Sequence, residues 1–347
     1  MKKNFASLLA LALSLVMFGC TQPSSNSTPS PSSSPSSSPA TSSKKLTIAM
    51  IPKGTTHEFW KTVHAGALKA ARELSTPGNE IEVIWKGPLR EDDREQQIQV
   101  VEGFVSQRVN GIVLAPLDNR AMVRPIEEAK QAGIPTVIFD SGLESENIVS
   151  FVATDNLKGG MLAADRLGEV LGGKGRVLML RYAEGSASTL EREAGFLEQI
   201  KAKHPGIEVI SSDQRSGPTR DTAKSASENL LNRHGNDLQG IFTVNENSTA
   251  GMLLALQDIE KAGKISLVGF DSSQPFIEGL RNGQMQGFVV QNPFRMGYLA
   301  IKTMVDHLQG KPVERRVDTG VAMITPDNLD SPESKELLNP PVNEYLK

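Results

Sequence analysis

The sequence predicts an α/β protein built on two parallel β-sheets, each covered by helices on both faces. Short apolar runs alternate with amphipathic segments from about residue 46 onward, and this alternation is typical of βαβ units. The part of the chain with this pattern is about 300 residues long, a length that usually forms two domains. Ten strand candidates suit two sheets of five or six strands better than one.

The strand candidates are short apolar runs bounded by turn residues. In chain order they are Leu46–Ile51, Ile81–Trp85, Gly111–Ala115, Thr136–Phe139, Val149–Val152, Arg176–Leu180, Ile207–Ile210, Gly240–Val244, Ser266–Phe270 and Gly287–Val290.

Between the strand candidates, apolar residues recur at the spacing of one helix face. The clearest series is Phe59, Val63, Ala67, Ala70, Ala71 and Leu74, and a second is Ile98, Val101, Val105 and Val109. The remaining helical patterns cover roughly 157–171, 190–203, 219–233, 248–261, 274–282 and 294–309.

The N-terminal segment predicts a secretory signal peptide over residues 1–20. Lys2 and Lys3 precede a mostly apolar stretch over 5–18, as in the charged and apolar regions of such signals. The apolar stretch is shorter than the roughly 20 residues that a membrane span requires. We therefore expect export rather than a transmembrane helix.

Cys20 is the only cysteine of the chain, and its position after the signal predicts a lipidation site. Gly19 before it resembles the small residue of the bacterial lipobox, although Met17 and Phe18 depart from the usual pattern. The alternative is an ordinary cleaved signal with an incidental cysteine. Residues 21–45 are mostly Ser, Pro and Thr, so they predict a disordered tether because they have too little apolar surface to fold.

Composition excludes several classes of function. The net charge is −3 with no basic block, so we expect no nucleic-acid partner. The sequence contains no His-Glu-x-x-His motif, no Gly-x-Ser-x-Gly motif and no cysteine pair. We therefore expect no metal site, no cofactor and no enzymatic activity.

Polar residues follow several strand candidates directly. They are Lys53, Asp140, Ser141, Asn245, Asp271 and Gln291. In open parallel sheets, ligands bind beyond the carboxyl ends of the strands. A series of Asp, Asn and Gln at these ends indicates a site that recognises hydroxyl groups.

The chain resembles the bacterial periplasmic sugar-binding proteins of the ribose-binding type, the receptors of ABC importers. The resemblance covers essentially all of 46–325. It rests on ordered segments, namely Ile48–Ile51, Phe59 with Trp60, Ile134–Asp140, Asp155 with Asn156, Gly159 with Gly160, Glu191 with Arg192, Gly195 with Phe196, Asn245, Val268–Asp271 and Gln291.

This resemblance implies two similar lobes joined by a three-segment hinge, with the ligand enclosed between them. The crossings are expected near Thr154, Asn292 and Arg316. The resulting divisions are an N-terminal lobe of 46–153 plus 292–315, a C-terminal lobe of 154–291 plus 316–325, and a C-terminal tail of 326–347 that packs on the surface or is disordered. The segment 316–325 is expected to contain one final strand, around 317–324.

The resemblance also implies ligand contacts. Phe59 and Trp60 would stack on the sugar ring, and Asp140, Arg192, Asn245, Asp271 and Gln291 would bind its hydroxyls. The alternatives are an ordinary apolar stripe for the aromatic residues, helix capping for the Asp and Asn residues, and a surface salt bridge with Glu191 or Glu193 for Arg192.

Two positions depart from the ribose binders of this family, which carry Asn where His57 stands and Arg where Ser141 stands. We therefore do not expect a ribose receptor. Ile51-Pro52-Lys53 and Lys86-Gly87-Pro88 are closer to the rhamnose and autoinducer-2 branch, in which the matching lysine contacts ligand. Lys53, His57 and Ser141 are accordingly candidate contacts, and a solvent-facing helix start is the alternative for His57.

The predicted function is that of a monomeric extracytoplasmic receptor that captures a small sugar or polyol and presents it to the permease subunits of an ABC importer. It would lie in the periplasm or on the outer face of the cell membrane, held by a lipid on Cys20. A receptor for a sugar or autoinducer-2 that signals through a chemoreceptor or sensor kinase is the alternative. The effector domain of a LacI-like repressor shares the fold, but the N-terminal signal argues against it.

Overall fold

The computed structural model describes residues 44–346, which contain twelve strands and eleven helices. All ten predicted strands form. The first sheet contains β1 (Lys44–Ile51), β2 (Asn79–Trp85), β3 (Gly111–Leu114), β4 (Thr136–Phe139), β5 (Ser150–Ala153) and β11 (Arg316–Asp318). The second contains β6 (Lys174–Leu180), β7 (Gly206–Ser211), β8 (Gly240–Thr243), β9 (Ser266–Phe270), β10 (Gly287–Gln291) and β12 (Val321–Ile324).

All eight predicted helices form. They are α1 (Glu58–Leu74), α2 (Arg94–Gln107), α4 (Asn156–Val170), α5 (Ala187–Lys203), α6 (Arg220–His234), α7 (Glu246–Asp258), α8 (Gln274–Arg281) and α9 (Pro293–Leu308). Sequence reasoning missed α3 (Val123–Gln131) and the short tail helices α10 (Pro332–Leu338) and α11 (Val342–Tyr345).

The two sheets repeat one topology. Their strand orders are β2-β1-β3-β4-β5-β11 and β7-β6-β8-β9-β10-β12. Every neighbouring pair is parallel except β10 with β12. The predicted fold class, two α/β lobes built on parallel sheets, is confirmed.

Each sheet has an apolar core on both faces, which explains why its strands are continuous apolar runs. In β1, Ile48 and Met50 contribute to the core beneath α1 and α9, whereas Ala49 and Ile51 contribute to the core on the opposite face. The second sheet is packed in the same way between two further clusters. The strands are therefore rigid supports for the loops that follow them.

The chain passes between the two sheets three times. It leaves the first sheet after Ala153 and returns from the second after Gln291. The third passage lies at Thr319 and Gly320, between β11 and β12. The prediction that the C-terminal lobe resumes at Arg316 was wrong, because Arg316–Asp318 pairs with β5 of the first sheet. Gly320, at φ 90°, is in the backbone region that favours glycine, and it divides the expected final strand in two.

The predicted tail, 326–347, is ordered as far as the structure describes it. Leu337 and Leu338 pack against a core of the second lobe. Helix α11 packs on α1 of the first lobe, with the ring of Tyr345 5.9 Å from that of Phe294. The tail therefore contacts both lobes.

The N-terminal predictions fall mostly outside the described part of the chain. This holds for the signal peptide 1–20, the lipidation site Cys20 and the tether up to residue 43. The predicted tether limit at 45 was two residues too late, because β1 already begins at Lys44 and pairs with β2 from its first residue. Within 44–346, no helix combines the length and apolar character that a membrane crossing requires.

Candidate functional site

A small cavity lies between the two lobes, where the carboxyl ends of the strands of both sheets meet. The unfilled space there, counting the part that is open to solvent, is about 380 Å³. The lining residues are Lys53, His57, Phe59, Trp60, Glu91, Asp140, Tyr182, Ser186, Ser188, Thr189, Arg192, Asn245, Glu246, Asp271 and Gln291. Apart from Phe59, every one of these side chains carries a hydrogen-bonding group.

The start of α1 supplies the aromatic side of the cavity. Phe59 and Trp60 meet edge to face with ring centroids 4.9 Å apart, and Trp60 also packs on Phe139 of β4 at 6.1 Å. Trp60 is only 2% exposed, so its ring is held by the core of the first lobe. The two residues begin the apolar stripe of α1 and also line the cavity.

Lys53 and Asp140 form a buried ion pair at the floor of the cavity. The Lys53 Nζ lies 3.2 Å from an Asp140 oxygen. The same ammonium donates to the hydroxyls of Ser186 and Ser188 in the second lobe, each at 3.3 Å. Lys53 therefore links the two lobes as well as neutralising Asp140.

Asp140 and Asp271 occupy equivalent positions in the two lobes. Asp140 follows β4 and Asp271 follows β9, and these strands have the same place in the two sheets. Both residues have left-handed backbones, with φ of 61° and 67°, a conformation that Asp tolerates better than most residues. The repeated backbone turn places one carboxylate from each lobe at the cavity.

Asp271 belongs to a hydrogen-bonded group in the second lobe. It accepts from Gln291 Nε2 at 2.6 Å and from the Glu246 backbone N–H at 3.0 Å. Burial raises the pKa of Asp271, against the opposing effects of Arg192 and of these hydrogen bonds. Gln291 is 2% exposed, and its carbonyl oxygen has no partner among the described residues. This acceptor is available to a ligand hydroxyl.

Asn245 has a structural role at the same place. It is the N-cap of α7, where its side chain accepts from the Ser248 N–H at 3.1 Å and from the Ser248 hydroxyl at 2.7 Å. Helix capping, the alternative for this residue, therefore occurs together with its position in the cavity wall.

Arg192 is buried at 3% exposure on α5. Its Nε donates to Asn156 at 2.9 Å, its Nη1 donates to the Val244 carbonyl at 3.0 Å, and the guanidinium lies 3.8 Å from the Phe270 ring centroid. The surface salt bridge considered for this residue is excluded, because no carboxylate of the described chain lies within ion-pair distance of it. Burial lowers the pKa of Arg192, opposed mainly by Asp271 and Asp140.

Glu91, in the loop after β2, connects both lobes and was missed from the sequence. It accepts from Trp60 Nε1 at 2.5 Å and from the Tyr182 hydroxyl of the second lobe at 2.5 Å. His57 Nδ1 lies 3.3 Å from the Glu91 carboxylate. Burial raises the pKa of Glu91, but His57, the charge of Lys53 and the Tyr182 hydroxyl outweigh burial and lower this pKa to about 2. Burial lowers the pKa of His57, but the Glu91 carboxylate outweighs it and the pKa is raised overall.

Nine of the ten predicted contact residues line the cavity, and Ser141 does not. Ser141 is fully buried beside it, where its hydroxyl accepts from the Ser188 N–H at 3.0 Å. His57 is not the solvent-facing helix start that was considered, because it contacts Glu91 and lies near Asn247 at 3.4 Å.

Sequence reasoning missed six lining residues, namely Glu91, Tyr182, Ser186, Ser188, Thr189 and Glu246. Five of them follow β6 or β8, so the rule that ligands bind at strand ends could have found them. Glu91 follows β2, but it lies in a run of charged residues that is typical of a solvated loop.

This arrangement of groups is suited to binding rather than to covalent chemistry. Carboxylates and an amide oxygen accept from hydroxyls, a guanidinium donates, and the aromatic rings offer an apolar face. Within 44–346, no cluster of three or more His, Cys, Asp or Glu could hold a metal ion.

Comparison with known proteins agrees with this geometry. The model of the periplasmic binding protein domain matches residues 48–312, which is most of the chain. The chain belongs to the periplasmic binding protein family. Among curated relatives of this periplasmic binding protein is the ribose import binding protein RbsB of Bacillus subtilis (strain 168). It is 27% identical over 326 residues, which cover 94% of this chain and 99% of the relative.

Solved structures of carbohydrate receptors share the fold of this periplasmic binding protein. One is a carbohydrate transporter solute-binding protein from Agrobacterium radiobacter in complex with D-arabinose, with a TM-score of 0.80, 32% identity, and coverage of 85% of this chain and 99% of that one. Another is an ABC transporter solute-binding protein from Agrobacterium vitis with bound D-fucose, with a TM-score of 0.79, 33% identity, and coverage of 84% and 100%. The chain is thus a periplasmic binding protein of the type that serves sugar importers.

Proposed function

We propose that this protein encloses one small sugar or sugar-like polyol between its lobes and presents it to the permease subunits of an ABC importer. The observation that carries the proposal is the composition of the cavity wall. Each lobe contributes a carboxylate from the same strand-end position, Asp140 or Asp271, and the aromatic rings of α1 complete the wall. Vicinal hydroxyls on an apolar ring are the groups that match such a wall.

Closure of the two lobes is the mechanism we propose for capture. In the present structure, the lobes are joined across the cleft by Lys53 with Ser186, by Ser141 with Ser188, and by Glu91 with Tyr182. A ligand that contacts both lobes stabilises the closed arrangement, because in the open form only one lobe can contact it. The permease would recognise the closed form through surface residues of both lobes.

The pattern of polar groups supports a sugar other than ribose. At position 141, where the ribose binders of the family have an arginine, this chain has a serine that hydrogen-bonds to the second lobe and does not line the cavity. At position 57 it has a histidine paired with Glu91. The relatives differ among themselves, since their structures hold D-arabinose or D-fucose.

We further propose that the receptor acts as a monomer held at the outer face of the membrane, or in the periplasm, by a lipid on Cys20. The support for the anchor is the sequence alone, namely the apolar segment before Cys20 and the Ser/Pro-rich segment after it. Such a tether would keep the receptor near its permease.

A thermal-shift screen tests the proposed function. The panel contains pentoses, hexoses, deoxysugars, inositols and autoinducer-2, with sugar acids and amino acids as controls. We expect one or a few polyols to raise the melting temperature, because a ligand that binds only the native state stabilises it. Absence of stabilisation by every polyol would refute the sugar hypothesis.

A further inference from the structure

We propose that Glu91 is a positioning residue that fixes the indole of Trp60 and couples it to closure of the lobes, which rests on the proposed sugar-binding function for its biological purpose. One oxygen of Glu91 accepts from Trp60 Nε1 at 2.5 Å in its own lobe. The other accepts from the Tyr182 hydroxyl at 2.5 Å in the opposite lobe. A single carboxylate thus holds the aromatic wall and the partner lobe together.

The first part of the argument concerns the orientation of Trp60. Phe59 and Phe139 pack on its ring nearly at right angles but supply no polar partner for Nε1. A buried indole N–H normally requires an acceptor, and Glu91 is the acceptor here. The carboxylate therefore selects one rotation of the indole, and this rotation determines which face a sugar ring meets.

The second part concerns the charge of Glu91. Its side chain is 8% exposed, and a buried carboxylate is stable only when it is well paired. Three donors surround it, namely Trp60, Tyr182 and His57. Burial raises its pKa, but His57, the charge of Lys53 and the Tyr182 hydroxyl outweigh this and lower the pKa to about 2. Burial and the Glu91 carboxylate raise the pKa of Tyr182, so this residue stays a neutral phenol and donates its proton to Glu91.

The third part concerns closure. Tyr182 follows β6 in the second lobe, whereas His57 and Trp60 are in the first. When the lobes separate, Glu91 loses one of its charge-assisted hydrogen bonds, and such bonds are roughly twice as strong as neutral ones. The Glu91–Tyr182 contact therefore opposes opening of the lobes. When it breaks, the Glu91 carboxylate that accepts from Trp60 Nε1 becomes less firmly held.

The variants for the test are Glu91→Gln, which keeps the shape but removes the charge, and Tyr182→Phe, which keeps the ring but removes the hydroxyl. Glu184→Gln is the matched control, because Glu184 is close in sequence to Tyr182 but its side chain is 89% exposed. Thermal unfolding of each variant verifies that it is folded.

The first measurement is the ¹H–¹⁵N spectrum of the two indole groups, one from Trp60 and one from Trp85, without any sugar. We expect Glu91→Gln to move the Trp60 indole proton upfield, since its hydrogen bond loses charge assistance, and to leave the Trp85 signal in place. An unmoved Trp60 signal would overturn the proposal. This measurement decides the positioning role even if the screen finds no sugar.

The second measurement uses the sugar that the screen identifies. We expect Tyr182→Phe to increase its Kd about tenfold or more, mainly through faster dissociation, which is the size of effect for a hydrogen bond to a charged group. Glu184→Gln should retain the wild-type rate. Wild-type dissociation in Tyr182→Phe would overturn the coupling to closure.

Discussion

Replacing Arg192 by Met is the most direct test of the binding site. The substitution keeps an apolar side chain of similar length beside Phe270 but removes the guanidinium. A guanidinium has five N–H donors, and two of those on Arg192 are used by Asn156 and the Val244 carbonyl. Three donors remain for a ligand enclosed in the cavity that Arg192 lines.

The expected loss of affinity follows from these donors. If two of the three bind ligand hydroxyls, and each charge-assisted hydrogen bond contributes about 1.5 kcal/mol or more, the variant loses at least about 3 kcal/mol of binding free energy. That corresponds to at least about a 100-fold increase in Kd. The free energy of unfolding without ligand should change by no more than about 2 kcal/mol. Two buried acceptors lose their donor, but a buried charge without a carboxylate partner is removed as well.

Calorimetric titration measures the change in Kd, and thermal unfolding checks it. At a sugar concentration of about 1,000 times the wild-type Kd, ligand stabilises the wild type by about 4.1 kcal/mol, and a 100-fold weaker variant by about 1.4 kcal/mol. For a folded part of about 300 residues, this difference corresponds to about 4 °C in melting temperature. Lys201→Met is the control, because Lys201 is an exposed residue of the same helix. An Arg192→Met variant that binds within threefold of the wild type would refute the assignment of Arg192 to the ligand.

Three further predictions concern other parts of the molecule. In the folded protein, burial lowers the pKa of His64 to about 4, whereas the ordinary value is 6.5. Between pH 6.5 and pH 4 the unfolded state therefore binds more protons than the folded state. The free energy of unfolding consequently decreases as the pH falls through this range. Allowing for the partial exposure of His64, we expect the free energy of unfolding to fall by about 1–2 kcal/mol, and we expect His64→Phe to abolish this fall. Urea unfolding at pH 7 and pH 4.5 measures the change. Equal losses in the wild type and the variant would contradict the prediction. Deletion of 340–347 removes the contact of Tyr345 with Phe294. We expect sugar affinity to fall by roughly threefold to tenfold, which corresponds to the free energy that one aromatic pair contributes. Unchanged affinity would show that the tail moves with one lobe only. Cys20→Ser should move the exported protein from the membrane to the soluble fraction on cell fractionation, and unchanged partitioning would disprove the lipid anchor.

The sheets could be predicted from the sequence because their strands are buried on both faces. Continuous apolar runs such as Thr136–Phe139 have no other plausible setting in an α/β protein. Helix α3 was missed because its apolar face is short, with only Pro125, Ile126 and Ala129 buried among nine residues. The final strand was predicted as one element because the resemblance implied a single strand, and only the three-dimensional arrangement of the sheets shows that the chain changes lobe at Gly320.

The binding site was predictable to the extent that it depends on strand ends. Asp140 and Asp271 were found because each directly follows a buried strand. Glu91 was missed because the sequence around it, Arg-Glu-Asp-Asp-Arg-Glu, is typical of a solvated surface, and its burial depends on a tyrosine 91 positions away. Contacts between lobes are set by the closed arrangement, and local sequence does not encode them.

The repeated strand-end carboxylates have a consequence for how affinity can be tuned. If the proposed function holds, Asp140 and Asp271 make the protein equivalent to two half-receptors, one in each lobe, for the two sides of one small molecule. The hinge then supplies the effective concentration of the second half-receptor once the first has bound, as a linker does in a bivalent binder. Because three passages join the lobes, inserting flexible residues at all three would dilute the second half without replacing a residue that lines the cavity. Affinity and specificity are therefore separable in this molecule, the former adjustable at the hinge and the latter fixed at the ends of the strands.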